Sequence, residues 1–329
     1  MKHDGKLIVI AFPDTFVKMS GEWLCRFLPL VGLGTREYIK AGHAALVLID
    51  NKTGNARYFD FGRYITPPGH GRVRGHRTDV ELEIPFKAQL EQTGALKNTE
   101  EFLLWLEAHP EKTHGDGRLL GSVCDKIDYE RAQQYILGLQ NRGSIPYGAF
   151  VKDGSNCSRF VTETLLASTS DSKIIKRLNW NKKFTPSTVG NVEKAATESD
   201  VYQVYDGQLE RFGGTAFKEN LKNYFHKKRN GVQVAADLIP PAANAQLLTG
   251  IGSSAWFELQ SNEQLPDSDF IINRYTEDNQ LDFRGVFKAD SALDAQSPYQ
   301  FVYDSHCAKC TVIQNGEQIQ LNFVERLPS

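Results

Sequence analysis

The sequence predicts an α+β fold in which an antiparallel sheet packs against helices and a small β-rich domain follows at the C-terminal end. Three observations support this prediction. Short apolar runs rich in β-branched residues lie at residues 6–12 and 43–50, and such runs are typical of buried strands. Several segments between residues 98 and 197 have the apolar spacing of amphipathic helices. Beyond residue 254, short alternating runs recur between turn residues, which indicates a small antiparallel sheet.

The predicted strands of the first half come from apolar runs that turn residues separate. They are residues 6–12, 43–50, 56–62, 80–86 and 118–127. A turn that contains Gly54 joins two of these runs as a hairpin. Residues 63–78 are rich in Gly, Pro and Arg, so we expect a loop there. Pro85 places its run at a sheet edge or a strand end, because proline cannot donate to a neighbouring strand.

The predicted helices follow residues whose side chains can cap a helix. They are residues 22–30, 98–108, 128–139, 157–167 and 189–197. Asn98 and Glu101 have the spacing of a capping box, in which both side chains bond to N–H groups of the first turn. Asp128 and Ser187 precede their helices as predicted N-caps.

The length of the chain and a change of pattern near its last third predict two domains. A chain of 329 residues is long enough for two cores. Residues 231–254 are rich in Ala, Gly and Pro, and this composition favours a linker. The predicted division is therefore a larger domain at residues 1–230, a linker at 231–254 and a β-rich domain at 255–329.

Charge and composition indicate which partners, cofactors and cellular location to expect. The formal net charge is −2 without a concentrated basic segment, so we expect no nucleic-acid partner. No apolar stretch reaches the roughly 18 residues of a membrane span. No signal peptide is visible and the five cysteines suit reduced thiols, so we expect a cytoplasmic protein. Phosphate-binding and dinucleotide motifs are missing, so no cofactor is predicted. The sequence does not set the oligomeric state.

Cys157 lies at the start of a predicted helix, after Gly154 and beside the capping candidates Ser155 and Asn156. A thiol there feels the positive end of the helix dipole, which favours the nucleophilic thiolate. The alternative is a small buried core residue, the usual fate of a free cysteine. A catalytic role also requires a histidine within reach.

His43 opens a strong strand pattern and is the candidate base for Cys157. It could instead be a satisfied core residue. Asp60 lies between two phenylalanines on the paired strand, and it is the candidate group that orients the imidazole. The alternatives are that Asp60 faces solvent, and that Tyr58 or a residue of the 63–78 loop orients the histidine.

Two further groups of residues suggest binding chemistry. Arg63, Arg72 and Arg74 could bind an anionic group, because guanidinium pairs with carboxylate or phosphate through parallel bonds. The alternative is an exposed loop with scattered charge. Cys307 and Cys310 have C-x-x-C spacing, but structural zinc needs four ligands and the sequence has no second pair. No metal site is predicted.

These residues together resemble the NlpC-type branch of papain-like cysteine peptidases and amidases. That family combines a proline–tyrosine turn with an Asn/Asp-Cys-Ser helix start. The Pro-Tyr pair at residues 146–147 and the Asn-Cys-Ser run at 156–158 match this pattern. The family histidine opens a strand, as His43 does in its His-Ala-Ala-Leu run.

The order of these motifs is circularly permuted, because His43 precedes Cys157 by 114 residues. The same order occurs in the lecithin:retinol acyltransferase-like group and in related bacterial permuted hydrolases. The resemblance covers about residues 1–200, and it implies a circularly permuted papain-like core in the larger domain. In the bacterial relatives a polar residue on the next strand is the third member, which implies that role for Asp60. The whole chain also resembles a bacterial family of unassigned function.

The resemblance implies a cysteine hydrolase, an amidase or peptidase that cleaves an amide in a peptide or cell-wall fragment. Cys157 would attack the carbonyl with the strand histidine as base, and Tyr147, Arg63, Arg72 and Arg74 would line the substrate groove. A thiol acyltransferase or esterase acting on a lipid or acyl ester is the alternative enzyme. A binding protein that retains the fold without turnover is the alternative outside catalysis.

Overall fold

A computed structural model gives the arrangement of the chain. It describes residues 2–19, 22, 27, 29, 30, 32–149, 151–183, 185–197, 200–226 and 239–328. The strands are β1 (Gly5–Phe12), β2 (Val17–Lys18), β3 (Tyr38–Ile39), β4 (His43–Asp50), β5 (Ala56–Gly62), β6 (His70–Gly75), β7 (Leu119–Ile127), β8 (Ile145–Pro146), β9 (Tyr202–Tyr205), β10 (Gln208–Arg211), β11 (Gln246–Leu248), β12 (Ala255–Gln260), β13 (Asp269–Tyr275), β14 (Leu281–Ala289), β15 (Gln300–Phe301), β16 (Lys309–Gln314) and β17 (Glu317–Arg326). The helices are α1 (Thr99–Glu107), α2 (Pro110–Thr113), α3 (Tyr129–Asn141), α4 (Cys157–Ser168), α5 (Ser172–Asn181), α6 (Thr188–Ala195) and α7 (Ala216–Tyr224).

The first sheet is antiparallel, and its strand order is β10-β9-β7-β1-β4-β5-β6-β8. The strand β1 lies near its centre and is buried along its whole length. Its side chains alternate between two cores, one on each face: Leu7, Val9 and Ala11 in the first, and Ile8, Ile10 and Phe12 in the second. Burial on both faces explains why β1 is a continuous apolar run rather than an alternating one.

Helices cover both faces of this sheet. The helices α3, α4 and α6 contribute side chains to the first core, and α1 contributes to the second. The predicted N-caps Asp128 and Ser187 are confirmed, because each side chain accepts a hydrogen bond from an N–H group in the first turn of its helix. Asn98 is the N-cap residue of α1, but its side chain makes no capping bond. It accepts from the Gln89 N–H and donates to Glu101, so the predicted capping box was wrong.

The second sheet is also antiparallel, and its strand order is β11-β12-β13-β14-β17-β16-β15. It has its own core, which includes Phe257 and Phe283. The Gln246 side chain donates to the Tyr299 carbonyl at 3.0 Å and accepts from the Phe301 N–H at 2.8 Å. These bonds connect the first and last strands, so the sheet is nearly closed. The predicted mixed α+β class is confirmed, and the permuted papain-like core stays a prediction.

Two segments differ from the structure predicted for them. Within the expected loop at residues 63–78, His70–Gly75 form the strand β6, which pairs with β5. Arg72 and Arg74 have the two-residue spacing of a strand, and both find buried carboxylate partners. Within the expected strand at residues 80–86, Val80–Leu82 form a 3₁₀ turn instead. Pro85 follows this turn and has no N–H group to pair with a neighbouring strand.

Some predictions lie partly outside the described residues. These are the helix at 22–30, of which 23–26 and 28 lie outside, and the linker, of which 231–238 lie outside. Later in the expected linker, Gln246–Leu248 form β11 of the second sheet. Within the described part of the chain, no helix has the length and apolar character needed to cross a membrane.

Candidate active site

Cys157 is the first residue of α4, and its side chain is nearly buried. Asn156 precedes it in an extended conformation and caps the helix, because its Oδ1 accepts from the Arg159 N–H at 2.8 Å. The approach to the helix is tight. A Cβ atom at Gly154 would lie 2.6 Å from the Pro146 carbonyl oxygen, so only glycine fits. The local sequence therefore fixes the thiol at the helix N-terminus, beside the Pro-Tyr turn.

Tyr147 lies against the thiol because its turn pairs with the segment that leads into α4. The Ser155 N–H donates to the Pro146 carbonyl at 3.0 Å. The Tyr147 ring stacks on Phe61 with centroids 5.9 Å apart, and Tyr147 and Cys157 line the same cavity. Burial raises the pKa of Tyr147 well above its usual value, and the neighbouring Cys157 thiol contributes to the same shift. The structure therefore brings Tyr147 to the predicted nucleophile.

His43 is the first residue of β4, and its side chain is buried. Its Nε2 lies 3.3 Å from Oδ2 of Asp60, and the Cys157 thiol is a close neighbour of the ring. Burial opposes a charged ring, but the contacts with Asp60 and Cys157 outweigh it and raise the pKa of His43 to about 9. The predicted nucleophile and the predicted base are thus in contact, and the imidazolium form is favoured.

Asp60 is fully buried and lies opposite Arg74 in the pairing of β5 with β6. Arg74 donates from Nε to Oδ1 at 3.0 Å and from Nη2 to Oδ2 at 2.6 Å. Burial would raise the pKa of Asp60, but the charge of Arg74 and the His43 contact outweigh it and hold that pKa well below its usual range. The carboxylate is therefore a fixed negative charge beside His43.

Two tyrosine hydroxyls complete the environment of Asp60. The Tyr58 hydroxyl donates to Oδ2 at 3.2 Å, and the Tyr64 hydroxyl donates to the same oxygen at 3.3 Å. The Tyr64 hydroxyl also lies 3.5 Å from Nε2 of His43. The Arg74 guanidinium covers the Tyr64 ring at 3.7 Å from its centroid. Burial and the Asp60 charge raise the pKa of both tyrosines, so both remain hydrogen-bond donors.

The three arginines that the sequence suggested for anion binding have different surroundings. Arg63 donates to the Lys18 carbonyl at 2.7 Å and covers the Tyr147 ring at 4.5 Å from its centroid. Arg72 is buried and donates to both carboxylate oxygens of Asp79, at 2.7 and 2.6 Å. Arg74 is buried against the carboxylate of Asp60. Arg63 thus packs on Tyr147, whereas the other two guanidinium groups are used in internal ion pairs.

Two cavities flank the contact between Cys157 and His43. The cavity beside Cys157 has a volume of about 230 Å³ and mostly apolar walls, which include Leu33 and Ile39. The cavity beside His43 has a volume of about 760 Å³ and more polar walls. Tyr147 lines both cavities. Val17 and Lys18 also line both cavities, and we call the two cavities together the groove.

His114 lies in the same groove, and sequence reasoning missed it. Its ring stacks on Tyr64 with centroids 5.1 Å apart. Burial and the nearby Arg74 charge lower the pKa of His114 to about 3, so this ring is neutral. It lies in a turn after α2, remote in sequence from the other site residues, and no local pattern identifies it. The ion-pair role of Arg74 was also missed, although its spacing from Arg72 was a usable strand signal.

Within the described part of the chain, no group of three or more His, Cys, Asp or Glu side chains is arranged as a metal site. Cys307 and Cys310 are free, buried thiols. Burial raises the pKa of Cys307 to about 12. The Cys310 thiol donates to the His306 carbonyl at 3.5 Å. Both cysteines belong to the core of the second sheet.

Comparisons with known proteins divide the chain between two families. A family model described as type VI secretion system effector TseH-like matches residues 7–174, which include His43, Asp60 and Cys157. A second, described as the DUF6695 C-terminal domain, matches residues 245–324, which hold most of the second sheet. No curated protein matches the chain.

One solved structure with similarity to the chain is the crystal structure of the type VI secretion system effector TseH. Its identity is 20%, its TM-score is 0.42, and the match covers 64% of this chain and 99% of that one. These values are too low to transfer a reaction or a substrate. The family model matches residues 7–174, which are just over half of the 329 residues. The chain therefore belongs to the family of type VI secretion system effectors described as TseH-like.

Proposed function

We propose that the chain is a cysteine hydrolase that cleaves an amide bond. The observation that carries this proposal is the position of the His43 ring, which lies 3.3 Å from Asp60 and beside the Cys157 thiol. Acyl transfer by a thiol needs a nucleophile, a base and a group that orients the base. These three side chains have those properties, and they lie beside a groove that can hold a substrate.

Transfer of the Cys157 proton to the His43 ring gives a thiolate–imidazolium pair, and in the first step the thiolate sulfur forms a bond with the substrate carbonyl carbon. Nε2 of His43 is held by Asp60, so we assign Nδ1 to the proton transfer. The electron pair of the carbonyl moves to its oxygen. The backbone N–H of Cys157, at the positive end of α4, would donate to that oxyanion.

The intermediate then collapses, the C–N bond breaks, and the His43 imidazolium gives its proton to the leaving amine. Water attacks the resulting thioester, and His43 accepts a proton from that water. The C–S bond breaks, the acid is released, and the sulfur regains its proton from His43. The raised pKa of His43, about 9, matches a ring that holds a proton while the thiolate is present.

The contacts of the other candidate site residues indicate two different roles. Arg63 and Tyr147 line the groove, and we keep both as proposed substrate contacts. We reassign Arg72 and Arg74 from substrate binding to positioning, because each is buried in a two-bond pair with a carboxylate. In this proposal Arg74 acts on catalysis only by holding the carboxylate of Asp60.

We also propose that residues 1–230 are a catalytic domain with a circularly permuted papain-like core. The support is the placement of the site on the histidine strand β4, its neighbour β5 and the later cysteine helix α4. For the substrate we propose an amide in a peptide or cell-wall fragment, since a groove with one cavity beside Cys157 and another beside His43 suits an extended chain. The family description concerns secretion effectors, so export is proposed in place of the expected cytoplasmic location.

A thiol acyltransferase or esterase is the second candidate. The observation that favours it is the mostly apolar cavity beside Cys157, whose volume of about 230 Å³ could hold part of an acyl chain. An acyl ester supplied together with an amine acceptor separates the two candidates. Release of free acid supports hydrolysis, and formation of the amide supports transfer.

Alkylation of Cys157 by iodoacetamide tests the proposed nucleophile. In the native protein at pH 7, we expect Cys157 to react about 10²-fold faster than it does in the His43→Ala variant, because the base is lost. Peptide mass spectrometry measures the rate at each cysteine. His76→Ala is the matched control, since His76 lies away from the groove lining and should leave the rate unchanged. Equal rates in all three proteins would overturn the hydrolase and favour a binding protein that retains the fold.

A further inference from the structure

We propose that the second sheet is part of the active site, because the segment Gly250–Ser253 ahead of β12 positions Tyr64 and walls the groove beside His43. This inference rests on the proposed function, in which His43 is the base. It gives the C-terminal region a role in catalysis rather than in recognition at a distance. Tyr64 touches His43 directly, and the segment acts through Tyr64 as a positioning element.

Backbone hydrogen bonds connect the segment to the residues around Tyr64. The Ile65 N–H donates to the Ser253 carbonyl at 3.1 Å, and the Gly252 N–H donates to the Arg63 carbonyl at 3.0 Å. Tyr64 and Ser253 pair as an isolated parallel bridge. Hydrogen bonds from the residues on both sides of Tyr64 end on this segment. The second sheet therefore holds the backbone that carries the Tyr64 ring.

Two glycines allow the close approach. A Cβ atom at Gly252 would lie 2.8 Å from Cε1 and 2.9 Å from Cδ1 of the Tyr64 ring. A Cβ atom at Gly250 would lie 2.7 Å from the Arg63 carbonyl oxygen. Any larger residue at Gly252 must therefore displace the ring or the segment. The Tyr64 hydroxyl has 3.3 and 3.5 Å contacts with Asp60 and His43, which a small displacement would break.

A series of buried ion pairs also connects the Tyr64 backbone to the second sheet. Nε of Arg72 donates to the Tyr64 carbonyl at 2.9 Å, while its two other nitrogens hold Asp79. Arg274, on β13, is buried and reaches Asp79 at 3.4 Å and Glu81 at 2.7 Å. A buried arginine of the second sheet thus holds the carboxylate that orients Arg72. The backbone hydrogen bonds of the segment and this series of ion pairs therefore both end at the backbone around Tyr64.

The segment also forms part of the groove surface. Gly250, Ile251 and Gly252 line the 760 Å³ cavity together with His43. The side chain of Ile251 is 47% exposed, so it can contact a bound substrate. The cavity beside the base is therefore incomplete without this part of the chain.

The test is Gly252→Ala in the full chain, with Gly213→Ala as the matched control. A Cβ atom at Gly213 has no atom within 4 Å, so that variant should behave as the wild type. Gly252→Ala should lower the iodoacetamide rate at Cys157 about 10-fold or more, because a misplaced group costs large factors in rate. It should also change the pKa of the His43 ring, followed by NMR, because the Tyr64 hydroxyl that lies 3.5 Å from Nε2 would be displaced. The groups that face this ring are Asp60, Tyr64 and Cys157.

The two readouts separate the failure of this inference from the failure of the proposed function. If the wild-type thiol is unreactive but Gly252→Ala still shifts the His43 titration, the hydrolase fails and the positioning role stands. If both readouts of Gly252→Ala equal those of Gly213→Ala, the positioning role is overturned.

If Gly252→Ala does not fold, Ile251→Ala tests the groove wall, since it removes an exposed side chain without a clash. We expect a dipeptidyl chloromethyl ketone to inactivate this variant about 5-fold less efficiently, because an apolar contact is lost. Gly213→Ala should be inactivated by the same reagent at the wild-type rate, because Gly213 lies outside the groove lining. An unchanged rate with the peptide reagent would remove this segment from the site.

Discussion

Two arginines on the strand β6 form the same kind of buried pair with different consequences. Arg74 donates two hydrogen bonds to Asp60, and Arg72, two residues away, donates two to Asp79. All four side chains are at least nine-tenths buried. In both pairs the positive partner outweighs burial and holds the pKa of the carboxyl well below its usual range. The two pairs are therefore alike in geometry, burial and charge state.

The difference lies in the third partner of each carboxylate. Asp60 also contacts His43, whose ring gains and loses a proton. Asp79 also contacts Arg274, which carries a permanent charge and belongs to the second sheet. The same ion pair thus supports a titratable base in one case and a junction between sheets in the other. The comparison shows that the chemistry of a buried aspartate depends on what it contacts beyond its arginine.

Asp60→Asn should have the largest effect on activity. The amide keeps the shape but loses the charge that orients and stabilises the His43 imidazolium. We expect kcat/KM for an amide substrate, or the Cys157 alkylation rate, to fall about 10³-fold, by analogy with loss of the orienting acid in other triads. Removing the charge also leaves Arg74 unpaired, so the free energy of unfolding should fall by about 3–5 kcal/mol. Urea unfolding beside the rate measurement separates the two effects.

Glu163→Gln is a suitable control for Asp60→Asn, because Glu163 pairs with Lys182 at the surface of α4. It should change the rate little and the free energy of unfolding by less than about 1 kcal/mol. A folded Asp60→Asn protein with the wild-type rate would show that Asp60 has no part in catalysis.

Asp79→Asn should separate stability from activity. It leaves Arg72 and Arg274 without their shared buried carboxylate, so we expect a loss of about 3–5 kcal/mol in the free energy of unfolding. The rate of the folded fraction should fall about 10-fold at most, because the His43–Asp60 contact is intact. Asp282→Asn is the control, since Asp282 pairs with Arg274 from a more exposed position and should cost about 1 kcal/mol. A larger rate loss than that of Asp60→Asn would reverse the comparison.

The sequence predicts the parts of this comparison that depend on local patterns. The apolar run of β1, the cap at Asn156 and the strand start at His43 are all local signals, and they led to the mixed fold and to the thiol–imidazole contact. The partners of the two arginines could not be predicted. Asp60 and Arg74 meet only through strand pairing, and the Gly-rich surroundings of β6 favoured a loop.

Contacts between the two sheets are even harder to predict from the sequence. Arg274 reaches Asp79 only because β13 packs beside the turn after β6, and no local pattern fixes that packing. The approach of Gly252 to Tyr64 has a weak signal, a pair of glycines in a segment that composition assigns to a linker. A glycine needed for close approach and a glycine in a flexible linker look the same until the partner is known.

The smallest expected effect is a difference in pH dependence between the two aspartate variants. The pKa of His43 is raised from 6.5 to about 9 in the folded protein, so its protonated form stabilises the fold. This contribution is complete below pH 6.5 and is lost as the pH rises through 9. Asp79 and its arginines have no group that titrates in that interval through this contact.

Urea unfolding between pH 6 and pH 9.5 measures this difference. The free energy of unfolding should fall with rising pH in the wild type, and it should fall by a similar amount in Asp79→Asn. The fall should be smaller in Asp60→Asn, where the pKa of His43 returns toward 6.5 because its hydrogen-bonded carboxylate is gone. For the same reason, the alkaline limb of kcat/KM should lie near pH 9 in the wild type and at lower pH in Asp60→Asn. Equal slopes in the two variants would show that the coupling of Asp60 to His43 does not distinguish the two pairs.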